Sequence, residues 1–269
     1  MQAFKNNPQN PWIFTKKTVF MQRVADKVRG GYNLYVQGCC SLEKTPYLYQ
    51  KFAARYPLTV SKSTQDRRRL SELNRYHWMA YFEPDTQLVH WILLLCPGAS
   101  PDTTDTWKCP FAQRIKLTGY ELVRLTRPGS EKPAYGWRYT RERHDDLRNA
   151  LVSAIRTRRD LDLQQLTHSI WRSPGFSGVR EQVKKMKLLI THEWQRSRSS
   201  AEVMPEIPKL IGYVRRLPDV GEPWSELMKK VQNETLETPI RSRSPELFLP
   251  CRARRAAQID RRKSKGADT

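Results

Sequence analysis

Apolar positions are densest over Tyr76–Cys96, where His77–Glu83 and Gln87–Cys96 read as two strands joined by a Pro84-Asp85 turn. Aromatic and β-branched residues fill both runs, and Pro followed by Asp is turn chemistry. The second run, LVHWILLL, is apolar on both alternating faces, so it needs cover on both sides and belongs inside a sheet. A two-residue loop would pair Phe82 with Gln87, Ala80 with Val89 and Trp78 with Trp91. His77 and His90 would then be diagonal neighbours on one face, about 7–8 Å apart.

The remaining pattern is placed around this hairpin. Phe14, Val19, Phe20, Val24 and Val28 recur at helical spacing, predicting a helix over Trp12–Arg29 that stops at Gly30-Gly31. Tyr32–Cys40 predicts a strand, and Thr45-Pro46 opens a helix to about Arg55. Ser63 and Asp66 form a capping-box-like start for a charged helix over Thr64–Arg75. Ile115–Arg127, with a bulge at Gly119, and Ala134–Arg141 predict two more strands. From there the spacing turns helical, over Asp146–Arg158, Asp160–Arg172 and Ser177–Arg196. A Pro-rich stretch follows, in which IPKLIGYVRRLP can lie back on the domain and PWSELMKKV can form a short helix.

The expected fold class is α+β: a mostly antiparallel sheet with packed helices over residues 1–140, then a helix-turn-helix-like module over 141–198. A Pro-rich extension spans 199–240, and the basic stretch 241–269 reads as a disordered tail.

Charge changes the picture most. Lys plus Arg number 48 against 27 Asp plus Glu, a formal net charge of +21. That excess points to a polyanionic partner, nucleic acid with DNA favoured over RNA. The five cysteines lack paired metal-ligand spacing, and no cofactor is expected. No hydrophobic run suits secretion or a membrane span, so the expected location is cytoplasmic, with no membrane partner. P-loop, G-x-S-x-G, G-x-G-x-x-G and H-E-x-x-H signatures are missing, which points to a binding protein rather than an enzyme.

The strongest candidate interface is the third C-terminal helix. Val179, Val183, Met186 and Ile190 would face the core, leaving Ser177, Arg180, Lys184 and Lys187 toward nucleic acid. Free N–H groups at the Ser177 end would suit a phosphate. An ordinary helical hairpin with a solvated basic face is the alternative. Further basic candidates are Arg67, Arg68 and Arg69 on the short charged helix, and Arg138 and Arg141 at the sheet's end. Tyr32, Tyr35, Tyr81, Trp91, Tyr120, Trp137 and Tyr139 could instead offer a stacking surface for single strands.

Three resemblances bear on function. A histidine on a central antiparallel strand, His90-Trp91-Ile92, with Tyr135 and Tyr139 nearby, resembles rolling-circle replication initiators and relaxases. That likeness implies metal-assisted nicking by a tyrosine, although one histidine stands where those families use two. The same sheet and histidine resemble CRISPR repeat-cleaving endoribonucleases, without their glycine-rich loop. The segments PGFSGVR and GYELVRLTRPG are similar in style to accessory and replication-type DNA-binding proteins of bacterial plasmids and mobile elements. The function expected is DNA binding in replication, transfer or regulation of such an element. A nuclease or nickase, or a basic subunit of a ribonucleoprotein, is the alternative.

Overall fold

Trp12, Ile13 and Phe14, whose spacing suits a helix, enter the fold as a strand because two neighbouring strands need their backbone groups. In the computed structural model, which describes residues 7–100, 102–127, 130–208 and 211–237, that strand is β1 (Trp12–Phe14), followed by α1 (Lys17–Arg29). Then come β2 (Leu34–Ser41), α2 (Thr45–Arg55), α3 (Lys62–Leu70) and the hairpin β3 (Arg75–Glu83) and β4 (Leu88–Cys96). β5 (Lys116–Leu117), β6 (Tyr120–Arg127) and β7 (Ser130–Tyr139) precede α4 (Arg141–Arg156), α5 (Asp160–Trp171) and α6 (Ser177–Ser197). β8 (Gly221–Pro223) and α7 (Trp224–Glu237) close the described chain. The chain divides into two compact units, Met1–Met228 and Lys229–Thr269; of the second, Lys229–Glu237 continues α7. The expected tail over 241–269 lies outside the described residues.

The protein is α+β. Its larger sheet has the order β2-β4-β3-β1-β8, mixed because β1 runs parallel to β3 while the other pairings are antiparallel. β4 is interior, as its doubly apolar pattern requires, with Leu93, Leu94 and Leu95 fully buried. The hairpin register differs from expectation. Glu83 pairs with Leu88 and Tyr81 with His90, so the loop is Pro84–Gln87, with Gln87 at φ 55°. The shift is by two residues, so each side chain keeps its face. It does separate the histidines: His77 pairs with Leu94, four residues from His90, or about 13 Å along the strand.

The smaller sheet, β5-β6-β7, also corrects the sequence reading. Gly119, expected at a bulge, sits at φ 80° beside Thr118 at φ 38° and turns β5 back onto β6. The irregularity lies instead between Leu125 and Arg127. α4 begins earlier than expected because Thr140 accepts a hydrogen bond from the Arg143 N–H and caps it.

One hydrophobic cluster joins these parts. Val19, Phe20 and Val24 of α1 meet Met79, Tyr81, Ile92 and Leu94 of the large sheet. Leu122, Trp137 and Tyr139 of the small sheet, and Leu151, Val183 and Met186 of the helices, belong to the same cluster. Trp137 is fully buried and donates from Nε1 to the Met21 carbonyl of α1 at 2.8 Å. The stripe Val179, Val183, Met186 and Ile190 is buried as its spacing predicts.

α6 lies against β7, an edge strand. Gln182 accepts from the Tyr139 N–H at 2.8 Å and donates to its carbonyl at 3.3 Å, satisfying edge groups that would otherwise be open. Gly178 allows the approach: a Cβ there would stand 2.7 Å from the Trp137 carbonyl oxygen. Gly178→Val is expected to push α6 off the strand and cost about 2–3 kcal/mol by overpacking, read as a lowered urea midpoint. An unchanged midpoint would mean that the contact is loose.

The segment after α6 lies back on the domain as expected. Ile211 is buried, Gln22 of α1 donates to the Arg215 carbonyl at 2.7 Å, and Arg23 bonds the Leu217 carbonyl and Asp219.

Candidate functional site

Four residues singled out from sequence converge. Ser177, Arg180, Lys184 and Lys187 line one groove of about 260 Å³ along the N-terminal half of α6. They share a flank because positions separated by three or four residues fall on one side of a helix. The opposite wall comes from Trp171 at the end of α5 and from Ile211 and Tyr213. None of these three wall residues was assigned a binding role from sequence. Trp171 reads there as part of an apolar stripe, and Tyr213 as one residue of a Pro-rich extension. The pairing of Gly212 with an aromatic beside two arginines was the available signal.

Backbone contacts hold this wall. Trp171 Nε1 donates to the Pro208 carbonyl at 2.9 Å, and the Val214 N–H donates to the Gly175 carbonyl at 3.2 Å. The two stretches cross so closely that a Cβ on Gly175 would stand 1.8 Å from the Gly212 carbonyl oxygen. Arg180 is anchored across the gap. Its Nε donates to the Ile211 carbonyl at 2.8 Å, and its guanidinium lies 3.3 Å from the centroid of the Tyr213 ring. Tyr213 is 73% exposed. Arg180 therefore shapes the groove rather than projecting freely.

Lys184 is exposed and Lys187 half-buried, and among the described residues neither forms an ion pair. Glu181, also on the lining, is taken up by Lys185 at 3.2 Å. The groove thus presents two uncompensated ammonium groups, one stacked guanidinium and two aromatic rings.

The other basic candidates lie elsewhere or are already paired. Arg138 has its Cβ facing Gly178 of α6, but it donates to buried Glu121 at 2.8 Å, which also holds Arg114 at 2.7 Å. Arg141 is almost fully exposed at the start of α4, 3.7 Å from Asp145. Arg67, Arg68 and Arg69 sit on α3, which rests on β3; Arg67 and Arg69 are exposed, while Arg68 donates twice to the Asn74 carbonyl. The aromatics considered as a stacking sheet are packing residues. Tyr32, Tyr35, Tyr81, Tyr120, Trp137 and Tyr139 are buried, and Trp91 lies against Phe52 of α2.

A second polar constellation joins α1 to the central hairpin. Glu83 accepts from Lys17 at 3.3 Å and lies 3.1 Å from His90 Nε2. Burial works against the Glu83 carboxylate, but the His90 hydrogen bond and the Lys17 charge outweigh it and hold its pKa at about 2. Burial lowers the Lys17 ammonium pKa despite Glu83. Tyr139, a candidate nucleophile by resemblance, is buried, donates to Ser173 Oγ at 2.5 Å and has its pKa pushed up to about 12 by that burial. Among the described residues no group of three His, Cys, Asp or Glu side chains could hold a metal ion.

His77 supplies a pH-dependent prediction. Burial, then the Lys27 charge, push its imidazole pKa down to about 3. It stays neutral in the fold while the unfolded chain takes up a proton near pH 6.5. Stability contributed this way is full above about pH 6.5 and is lost as pH falls toward 3. Glu83 loses its contribution only below about pH 4.5, so its loss does not overlap the window from about 6.5 to 4.5. Thermal melts should show stability falling across that window, and His77→Gln should flatten the slope. A variant with the parent's slope would assign the loss to another group.

No protein family, curated protein or solved structure matches the chain. Among the described residues no helix is long and apolar enough to cross a membrane.

Proposed function

We propose that the protein binds nucleic acid, DNA before RNA, through the groove along α6. In this reading Lys184 and Lys187 neutralise phosphates, and the rest of the +21 net charge supplies long-range attraction. The supporting observation is the convergence of Ser177, Arg180, Lys184 and Lys187 on one groove in which, among the described residues, neither lysine has a carboxylate partner. α5, the five-residue connection Arg172–Phe176 and basic α6 make up the helix-turn-helix-like part of the proposal. Such a protein would act in the cytoplasm, in replication, transfer or regulation of a mobile element, with protein partners of that machinery.

Fluorescence anisotropy with labelled oligonucleotides tests the assignment. Lys184→Ala with Lys187→Ala removes one exposed and one half-buried charge at sites of high helix propensity, so the fold should persist within about 0.5 kcal/mol per site. The slope of log affinity against log salt should fall by about two units, one per lost phosphate contact. An unchanged slope would remove the groove from the binding surface.

A further inference from the structure

We infer that the α6 groove takes single-stranded nucleic acid, with a base stacked on the exposed face of Tyr213 and the neighbouring phosphates on Lys184 and Lys187. This inference rests on the nucleic-acid reading above and specifies its substrate.

The argument begins with what surrounds α6. A recognition helix reads a duplex by entering the major groove with its N-terminal residues foremost. That groove is about 12 Å wide, and a helix with its side chains is already about 10–12 Å across. The N-terminal half of α6 does not stand alone. Gly178 and Gln182 lie against β7 on one side, and Arg180 is bonded to the Ile211 carbonyl on another. The Gly175–Gly212 crossing locks the latter segment in place. With elements on two sides, this half of α6 offers its polar flank as one wall of a groove rather than as a free-standing helix.

A single strand needs a cationic track for its backbone and aromatic faces for its bases. Both are present within one small groove. Lys184 and Lys187 supply the track, while Trp171 and Tyr213 form its aromatic wall. Tyr213 as a residue is 73% exposed, and its ring already carries the Arg180 guanidinium on one side. The pair is therefore ordered before binding, and a base added to it costs little further side-chain freedom. A groove of about 260 Å³ falls just below the roughly 300–1,000 Å³ usual for small-molecule sites, the scale of a nucleotide or two rather than a duplex.

The full chain would be titrated by anisotropy, at low salt, with one labelled strand and with the same strand annealed to its complement. The single strand should bind at least about tenfold more tightly. Tyr213→Ala should weaken single-strand binding by about 5- to 100-fold, the range for losing one base–aromatic stack, and leave duplex binding unchanged. Tyr213→Phe should restore it, because the ring and not the hydroxyl carries the contact. Unchanged thermal melts would show that both variants fold, as expected for so exposed a side chain. Equal or tighter duplex binding, or full single-strand affinity in Tyr213→Ala, would overturn the inference and leave nucleic-acid binding standing. No binding of either form would overturn both.

Discussion

Raising salt from about 50 to about 200 mM is expected to weaken nucleic-acid binding about a thousandfold. The figure follows from counterion release if about seven phosphates of a single strand are neutralised, since log affinity then falls with log salt at a slope near −5. Lys184 and Lys187 account for two of those contacts in this reading. Exposed Arg67, Arg69 and Arg141 are the further candidates for such contacts. Arg138 is not counted, because its guanidinium is held by buried Glu121. Anisotropy titrations at four or five salt concentrations would give the slope directly. A nearly flat dependence would mean that the positive charge serves a protein partner, and the groove would lose its assignment.

Trp137→Ala is expected to be the most destabilising single change, at about 4 kcal/mol. The side chain is fully buried where the small sheet meets α1, so truncation leaves a cavity bounded by rigid elements. It also removes the Nε1 hydrogen bond to the Met21 carbonyl. For a unit of this size the midpoint temperature should fall by roughly 10 °C. A loss below about 1 kcal/mol would show that the sheet and helix can collapse onto the gap. Trp137→Phe separates the terms, since it keeps most of the ring and loses the donor.

Trp137 also shows where sequence reasoning stops. Strand periodicity places it on a face but does not say what lies above that face. A tryptophan beside arginines suits a stacking platform and a core equally well until α1 is placed. β4 needed no such partner: apolar residues on both faces force an interior position whatever covers them. The register of β3 on β4 was less legible because Gln87 adopts φ 55° without the glycine or asparagine that announces such a turn. The error of two residues preserved every face and spoiled only the distance between His77 and His90. At the groove, the α6 lysines were legible because helical spacing sorts polar from apolar positions within one element. Its other wall depends on Gly175 and Gly212 meeting across 37 residues, a tertiary approach that no local pattern encodes.

The pairing of β1 with β8 bears on how the chain is made. Residues 12–14 find their antiparallel partners only at 221–223. At about 5–20 residues per second, a ribosome needs roughly 10–40 s to deliver the second strand after the first. Until then the outer edge of β1 offers unpaired backbone groups to any passing strand. Nascent chains of this protein should therefore depend on chaperone occupancy longer than their modest length suggests.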